Sequence, residues 1–281
     1  MYLKKIIKLC GLFVLIAFSF FYSDRVARVI SSKDSLMVKI NNVASSYEIK
    51  PIDGIISNNT IVPGINGRVV NVDKSYKKMR EIGTFSEELF VYDCVKPNNS
   101  LDLNNDKYII HGNYNKNMVS IVMVIDDDKY LERLDYIIKN KDIVFNYFVT
   151  SDFLISNTNY ITSLNNVEVY NYGVDGKYAP DNILFANNLI TRITKNEAKY
   201  CLVDNYDNST LSLCSKNDLY TVLPNIIIDS RLYINIKNSL DNGSIIYIKL
   251  NNNNITELSI VIDYIKGKGM EIVGLSKLIS E

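Results

Sequence analysis

The rhythm of apolar and polar positions changes near residue 119. Val119 to Ile125 is an almost unbroken apolar run, the mark of a strand covered on both faces, as in a parallel sheet. Tyr130, Leu131, Leu134, Ile137 and Ile138 then recur at helical spacing. The alternation continues to the end of the chain. Strands are predicted at 143–149, 167–170, 199–203, 220–228 and 244–248, with a closing strand at 271–273. Ile183, Leu184, Ala186, Leu189, Ile190 and Ile193 make one intervening helical face, and Ile255, Leu258, Ile262 and Ile265 make another that ends at Gly267. This many strand–helix units in 118–281 predict an α/β barrel or a doubly wound sheet.

The preceding segment is less regular. Residues 25–50 read as a tether or first strand, with Asn41-Asn42 and Ser45-Ser46 marking loops. Residues 51–117 read as a small mixed α+β unit. Asn66-Gly67 is a tight-turn signal, and Asp73 is placed to cap a helix carrying Tyr76, Met79 and Arg80 up to a stop at Gly83. Short strands are predicted at 89–92 and 108–111. The domain boundaries so derived are 1–24, 25–117 and 118–281.

Lys4, Lys5 and Lys8 precede an uncharged run from Leu9 to Tyr22. A basic start followed by an apolar stretch is an export signal or a membrane anchor. Counted from Leu3, with the lysines snorkelling, it suffices for an N-terminal transmembrane helix; a cleaved signal is the alternative. The expected location is the cell membrane, single-pass, with the remainder extracytoplasmic; cleavage of a signal would leave that remainder extracytoplasmic without the anchor.

Composition removes several function classes. Thirty-one basic and 31 acidic side chains give zero formal charge, which argues against nucleic-acid binding driven by a basic surface. No GxxxxGK or GxGxxG segment is present, so no nucleotide partner is expected. His111 is the single histidine, which excludes any zinc site needing two imidazoles from this chain. The four cysteines form no CxxC pair. Cys201 and Cys214 are free to pair in an oxidising compartment or to serve as small buried hydrophobes.

Three segments of the C-terminal part resemble the polysaccharide deacetylase family, the NodB-homology domain. Ser120 through Asp126-Asp127-Asp128 resembles the first strand, with its Thr-Phe-Asp-Asp-Gly motif. Glu168 through Tyr172-Gly173-Val174-Asp175-Gly176 resembles the segment that ends in His-x-x-x-His. Gly243 through Tyr247-Ile248-Lys249 resembles the late strand ending in Leu-x-His. The resemblance runs from Val119 to Glu281 and implies a distorted seven-stranded β/α barrel. Family members bind a divalent metal through one Asp and two His, with a second Asp as base and a third His as acid. Here the metal-binding His positions carry Tyr172 and Gly176, and the acid position carries Lys249. Only Asp126 and Asp127 match, and the Arg-Pro-Pro loop is replaced around 199–204.

The resemblance therefore implies a degenerate, membrane-anchored deacetylase-like protein without cofactor or metal, binding or scaffolding on peptidoglycan, another envelope glycan or a protein partner. The alternative is an active carbohydrate deacetylase with a site rebuilt around Asp126, Asp127, Asp175 and Lys249. Asp126, Asp127 and Lys249 are thus vestigial catalytic candidates, and Tyr170, Tyr172, Asp175 and Tyr178 are ligand-binding candidates. The plainer reading of Asp126-Asp127-Asp128 is a solvated loop whose last Asp caps a helix at Lys129. That of Lys249 is an exposed strand-end lysine. The turn at 62–68 could present Arg68 to a partner, or be structural.

Overall fold

The computed structural model describes residues 13–19, 21, 34–174 and 176–281. The anchor expected over 1–24 lies, apart from 13–19 and 21, outside the described residues. Among the described residues no helix is long and apolar enough to cross a membrane. The chain forms two compact units, one from Met1–Pro51 and Asn66–Val95, the other from Ile52–Ile65 and Lys96–Glu281. This division differs from the boundary expected at 117/118, because 52–65 and 96–117 join the larger unit.

In the smaller unit, the segment read as a tether or strand is a helix, Ser35–Ala44. Asp34 caps it by accepting from the Leu36 amide at 2.8 Å. Met37, Ile40 and Ala44 lie on one buried face, so apolar spacing prevails over the Asn41-Asn42 loop signal. The helix Val72–Ile82 stops at Gly83 (φ 81°) as expected, but its cap is Asn71 rather than Asp73. The strand expected at 89–92 lies further along, at Tyr92–Val95, and pairs antiparallel with Gly67–Val70. Neither Asn66 nor Gly67 has positive φ. The chain passes extended through them, so this is no tight turn.

The larger unit opens with the hairpin β1 (Ile55–Ser57) and β2 (Thr60–Val62), turned by Asn58-Asn59 with Asn58 left-handed. We number the smaller unit's pair β3 and β4, so that Tyr108–Ile109 is β5. The predicted alternation follows: β6 Met118–Ile125, β7 Phe145–Val149, β8 Val167–Asn171, β9 Tyr200–Leu202, β10 Tyr220–Val222, β11 Ile226–Ile228, β12 Ile245–Ile248 and β13 Glu271–Ile272. One parallel ladder runs β11-β12-β6-β7-β8, with β13 beside β6; another sheet runs β1-β2-β5-β10-β9.

The predicted strand at 220–228 is broken into β10 and β11 by Leu223-Pro224-Asn225. Pro224 has no N–H for a ladder, and the Asn225 side chain accepts instead from the Ile245 amide at 2.8 Å. Since β10 runs on into β11, the two sheets form a ring, and among the described residues its seam between β8 and β9 has no strand pairing. The Tyr178 hydroxyl bridges it, donating to the Asn171 carbonyl (2.9 Å) and accepting from the Leu202 amide (2.8 Å). The expected β/α barrel is present in this distorted form.

Strand periodicity sorts the side chains. Ile121, Met123, Tyr147, Val169 and Ile246 face outward into the layer between strands and helices. Val122, Phe148, Tyr170, Tyr200, Leu202 and Tyr247 fill the interior. The floor is the C-terminal helix Leu275–Ile279, whose Leu275, Leu278 and Ile279 enter the same interior. Polar strand residues hold it there. Asn146 accepts from the Leu275 amide at 2.7 Å. Glu168 accepts from the Ser276 amide at 3.0 Å, from the Ser276 hydroxyl, and from the Tyr170 hydroxyl at 2.6 Å. The Lys116 ammonium closes the other end of the helix on the carbonyls of Lys277, Leu278 and Ser280.

Candidate active site at the barrel mouth

The C-terminal ends of the parallel strands form the mouth, and inward parity decides which side chains reach it. Counting by twos from the interior residues, Val124 leads to Asp126, Tyr170 to Tyr172, Leu202 to Asp204, and Tyr247 to Lys249.

Lys249 is held by carboxylates. Its ammonium lies 3.2 Å from Asp229 and 3.8 Å from Asp204, with about 42% of its side chain exposed. Burial pushes the half-buried Tyr172 phenol up and the Asp204 carboxylate adds to this, while Tyr247 and Lys249 pull it back. Burial, followed by the neighbouring Tyr172, also raises Tyr247. The mouth is therefore a cluster of two neutral phenols and one ammonium among carboxylates. Asp204, Asp229 and Tyr247 were not singled out in the sequence; inward parity beyond each strand end was the available signal.

The other candidates separate. Asp126 is exposed beyond β6. Asp127 turns its carboxylate onto the Lys129 amide at 3.0 Å, but the next helix begins only at Leu131 behind Tyr130 with no side-chain cap, so the expected Asp128 cap at Lys129 does not form. Tyr170 is 3% exposed, in the barrel interior and bonded to Glu168; it cannot meet a ligand at the mouth. The hydroxyl of Tyr178 is engaged in the β8–β9 seam, which makes this residue part of the wall. Asp175 lies outside the described residues. Arg68 stacks over the Tyr92 ring at 4.4 Å within the smaller unit.

The residues do not suit the family's metal. Gly176 is left-handed (φ 75°) and packs against the Tyr172 ring, where an added Cβ would lie 3.0 Å from Cε1. The charge at the Lys249 position is an ammonium, which repels a cation. Among the described residues no cluster of three His, Cys, Asp or Glu is arranged to hold a metal. His111 cannot substitute. It is 4% exposed, bonded to the Gly112 carbonyl at 2.7 Å and packed on Gly243, before β12 begins, whereas Lys249 follows its end. Burial lowers its pKa.

Cys201 on β9 and Cys214 on the helix Asn208–Lys216 form a disulfide. Of the two readings left open for them, the bond is realised, and both residues are also buried.

This fold is the one seen in the family 4 carbohydrate esterases, the polysaccharide deacetylases. The chain is similar to BA3943 of Bacillus anthracis, a family 4 pseudoenzyme, with a TM-score of 0.66 at 21% identity over 89% of this chain and 96% of that one. A BA3943 mutant with restored enzymatic activity superposes equally well, at TM-score 0.66 and 21% identity over 88% and 99% of the two chains. PdaA of Bacillus subtilis, a family 4 carbohydrate esterase, gives a TM-score of 0.54 at 14% identity over 82% of this chain and 97% of that one. At the level of sequence, the uncharacterized protein YlxY of Bacillus subtilis is 34% identical over 134 residues, 46% of this chain; the chain spans about 41% of the length of that relative. No family profile matches the chain.

Proposed function

We propose that the protein is a catalytically silent, deacetylase-like binding protein, anchored in the cell membrane by its N-terminal segment and exposed outside it, that engages an envelope glycan such as peptidoglycan at the barrel mouth. The observation that carries the reading is Lys249 seated between Asp204 and Asp229. A fixed cation there replaces the function of a metal as a partner for carboxylates, but offers no Lewis acid and no open coordination position. Phenols and carboxylates remain, a lining suited to sugar rings and hydroxyls. The buried disulfide and the basic–apolar start agree with an extracytoplasmic place.

The test pairs binding with chemistry. Purified full-length protein should co-sediment with peptidoglycan sacculi and lose this on Tyr172→Ala with Lys249→Ala. It should release no acetate from N-acetylated glycan oligomers with zinc or cobalt supplied. Turnover that vanishes in Asp126→Ala with Asp127→Ala would sink the silent reading and favour the rebuilt hydrolase. Membrane fractionation and protease protection of the native protein check the location.

A further inference from the structure

β11 and β12 pair in register from Ile226 opposite Ile246 to Ile228 opposite Ile248. The last bond between them runs from the Lys249 amide to the Ile228 carbonyl at 3.0 Å. Asp229 and Lys249 come next in that register, so their side chains leave the two strands on the same face. The ion pair they make, at 3.2 Å, joins a carboxylate 71% exposed to an ammonium 42% exposed. Pairs this accessible to water are worth little and do not hold a backbone in place.

Two side-chain amides hold the strand ends instead. Asn251 donates to the Asp229 carbonyl at 2.7 Å. Asn254 donates to the Lys249 carbonyl at 2.8 Å and to the Asp229 carbonyl at 3.2 Å. The helix Asn252–Gly267 fixes both amides, because Asn251 is its cap and accepts from the Asn254 backbone amide at 2.9 Å. Beyond Asp229 the chain bends at Arg231, which is left-handed (φ 55°), so the bonds to its carbonyl fall where the strand is leaving the sheet.

We propose that Asn251 and Asn254 are positioning residues for the mouth, a clamp that keeps Asp229 and Lys249 abreast and so holds the ammonium in one place for a ligand. Helix formation alone does not call for these amides. Serine caps a helix as well as asparagine does. Asn254 is fully buried on the same helix face as Ile255 and Leu258, where an apolar side chain would serve. Its own Oδ1 is buried with no hydrogen-bond partner, which costs stability. The donating end of the amide gives it its use. An ammonium already in place loses less freedom when a ligand arrives, so the clamp favours binding by preorganisation. This role presupposes that the mouth is the binding site, and the experiment separates the two.

Competitive acylation of the full chain by a limiting N-hydroxysuccinimide ester, followed by peptide mapping, reads each lysine separately. Lys249 should react about fivefold more slowly than the exposed Lys139, the factor that an ion pair of ordinary strength represents. Asn251→Ser with Asn254→Leu should bring Lys249 up to the Lys139 rate. Asn251→Ser alone, which keeps the helix cap, should shift it the same way by a smaller factor and carries the test if the double variant does not fold. Asn146→Leu, at the barrel floor, weakens the fold without touching either strand end and should leave the ratio unchanged. The proposal is overturned by equal rates for Lys249 and Lys139 in the parent, by a ratio unmoved in the clamp variants, or by the same rise in Asn146→Leu. Co-sedimentation with peptidoglycan sacculi is the second readout. A parent that binds should bind several-fold more weakly with the clamp removed, and undiminished binding once Lys249 is released would also overturn the positioning role. A parent that does not bind refutes the glycan reading alone, and the acylation ratio still decides the clamp.

Discussion

The Tyr178 hydroxyl lies 2.8 Å from the Leu202 amide nitrogen, where β8 and β9 make no ladder to each other among the described residues. The same oxygen donates across the gap to Asn171, so one side chain serves two backbone groups that would otherwise be buried without partners. Tyr178→Phe keeps the ring and removes both bonds. The expected cost is about 1–3 kcal/mol, the penalty for leaving a buried backbone group unsatisfied, read as a lower urea midpoint with an unchanged slope.

The floor of the barrel depends on an amide in a strand. Asn146 is fully buried, donates to the Ile121 carbonyl at 2.9 Å and accepts from the Leu275 amide. Asn146→Leu fits the apolar strand pattern but leaves the buried Leu275 amide without a partner, so it should destabilise by about 1–3 kcal/mol. Hydrogen exchange should show the helix Leu275–Ile279 opening first.

Removing the disulfide by Cys201→Ala with Cys214→Ala should cost about 3 kcal/mol on the chain-entropy scale for a loop of this length. The native protein should resist alkylation at both positions until reduced, whereas the exposed Cys94 should react at once.

Asp207 caps the helix Asn208–Lys216. Hydrogen bonds from the Ser209 and Thr210 side chains, then from their amides, hold its carboxyl down at about 2. The folded value is below the unfolded one, so its contribution is fully present above about pH 4 and is lost as pH falls toward 2. Asp207→Ala should cost about 1 kcal/mol at neutral pH. The gap from the parent protein should narrow in denaturation curves taken below pH 3.

Placing histidines at 172, 176 and 249 should not restore zinc binding. Gly176 is left-handed, a conformation that costs a residue with a Cβ about 1–2 kcal/mol, and its neighbour Gly173 is left-handed with the Lys177 carbonyl 2.2 Å from where a Cβ would stand. Calorimetric titration with zinc should show no stoichiometric site; tight binding would mean that the loop refolds readily.

Legibility followed the kind of interaction involved. Burial on both faces writes itself into local sequence as an apolar run, which is why β6, β8 and β12 stand close to where the apolar pattern places them. The helix Pro180–Thr194 follows equally from spacing. Signals that describe a residue's own preference were weaker. Asn41-Asn42 sits inside a helix because Met37 and Ile40 bury, and Asn66-Gly67 runs extended because the chain is passing between units. The helices Asn208–Lys216 and Leu232–Ser239 were not anticipated; their polar positions dilute the apolar face.

What the sequence by itself determined is the parallel strand–helix order and the lack of imidazoles for the deacetylase site, since one histidine cannot fill three positions wherever the chain goes. Tertiary structure alone decided the company each candidate keeps. Tyr170, Tyr172 and Tyr178 lie within nine residues of one another, yet one fills the interior, one faces the mouth and one seals the wall. Lys249 meets Asp204 and Asp229 rather than the aspartates 126–128 that follow β6. Pairing across a barrel is set by strand order, register and inward parity together, and a linear sequence records only the last of these directly.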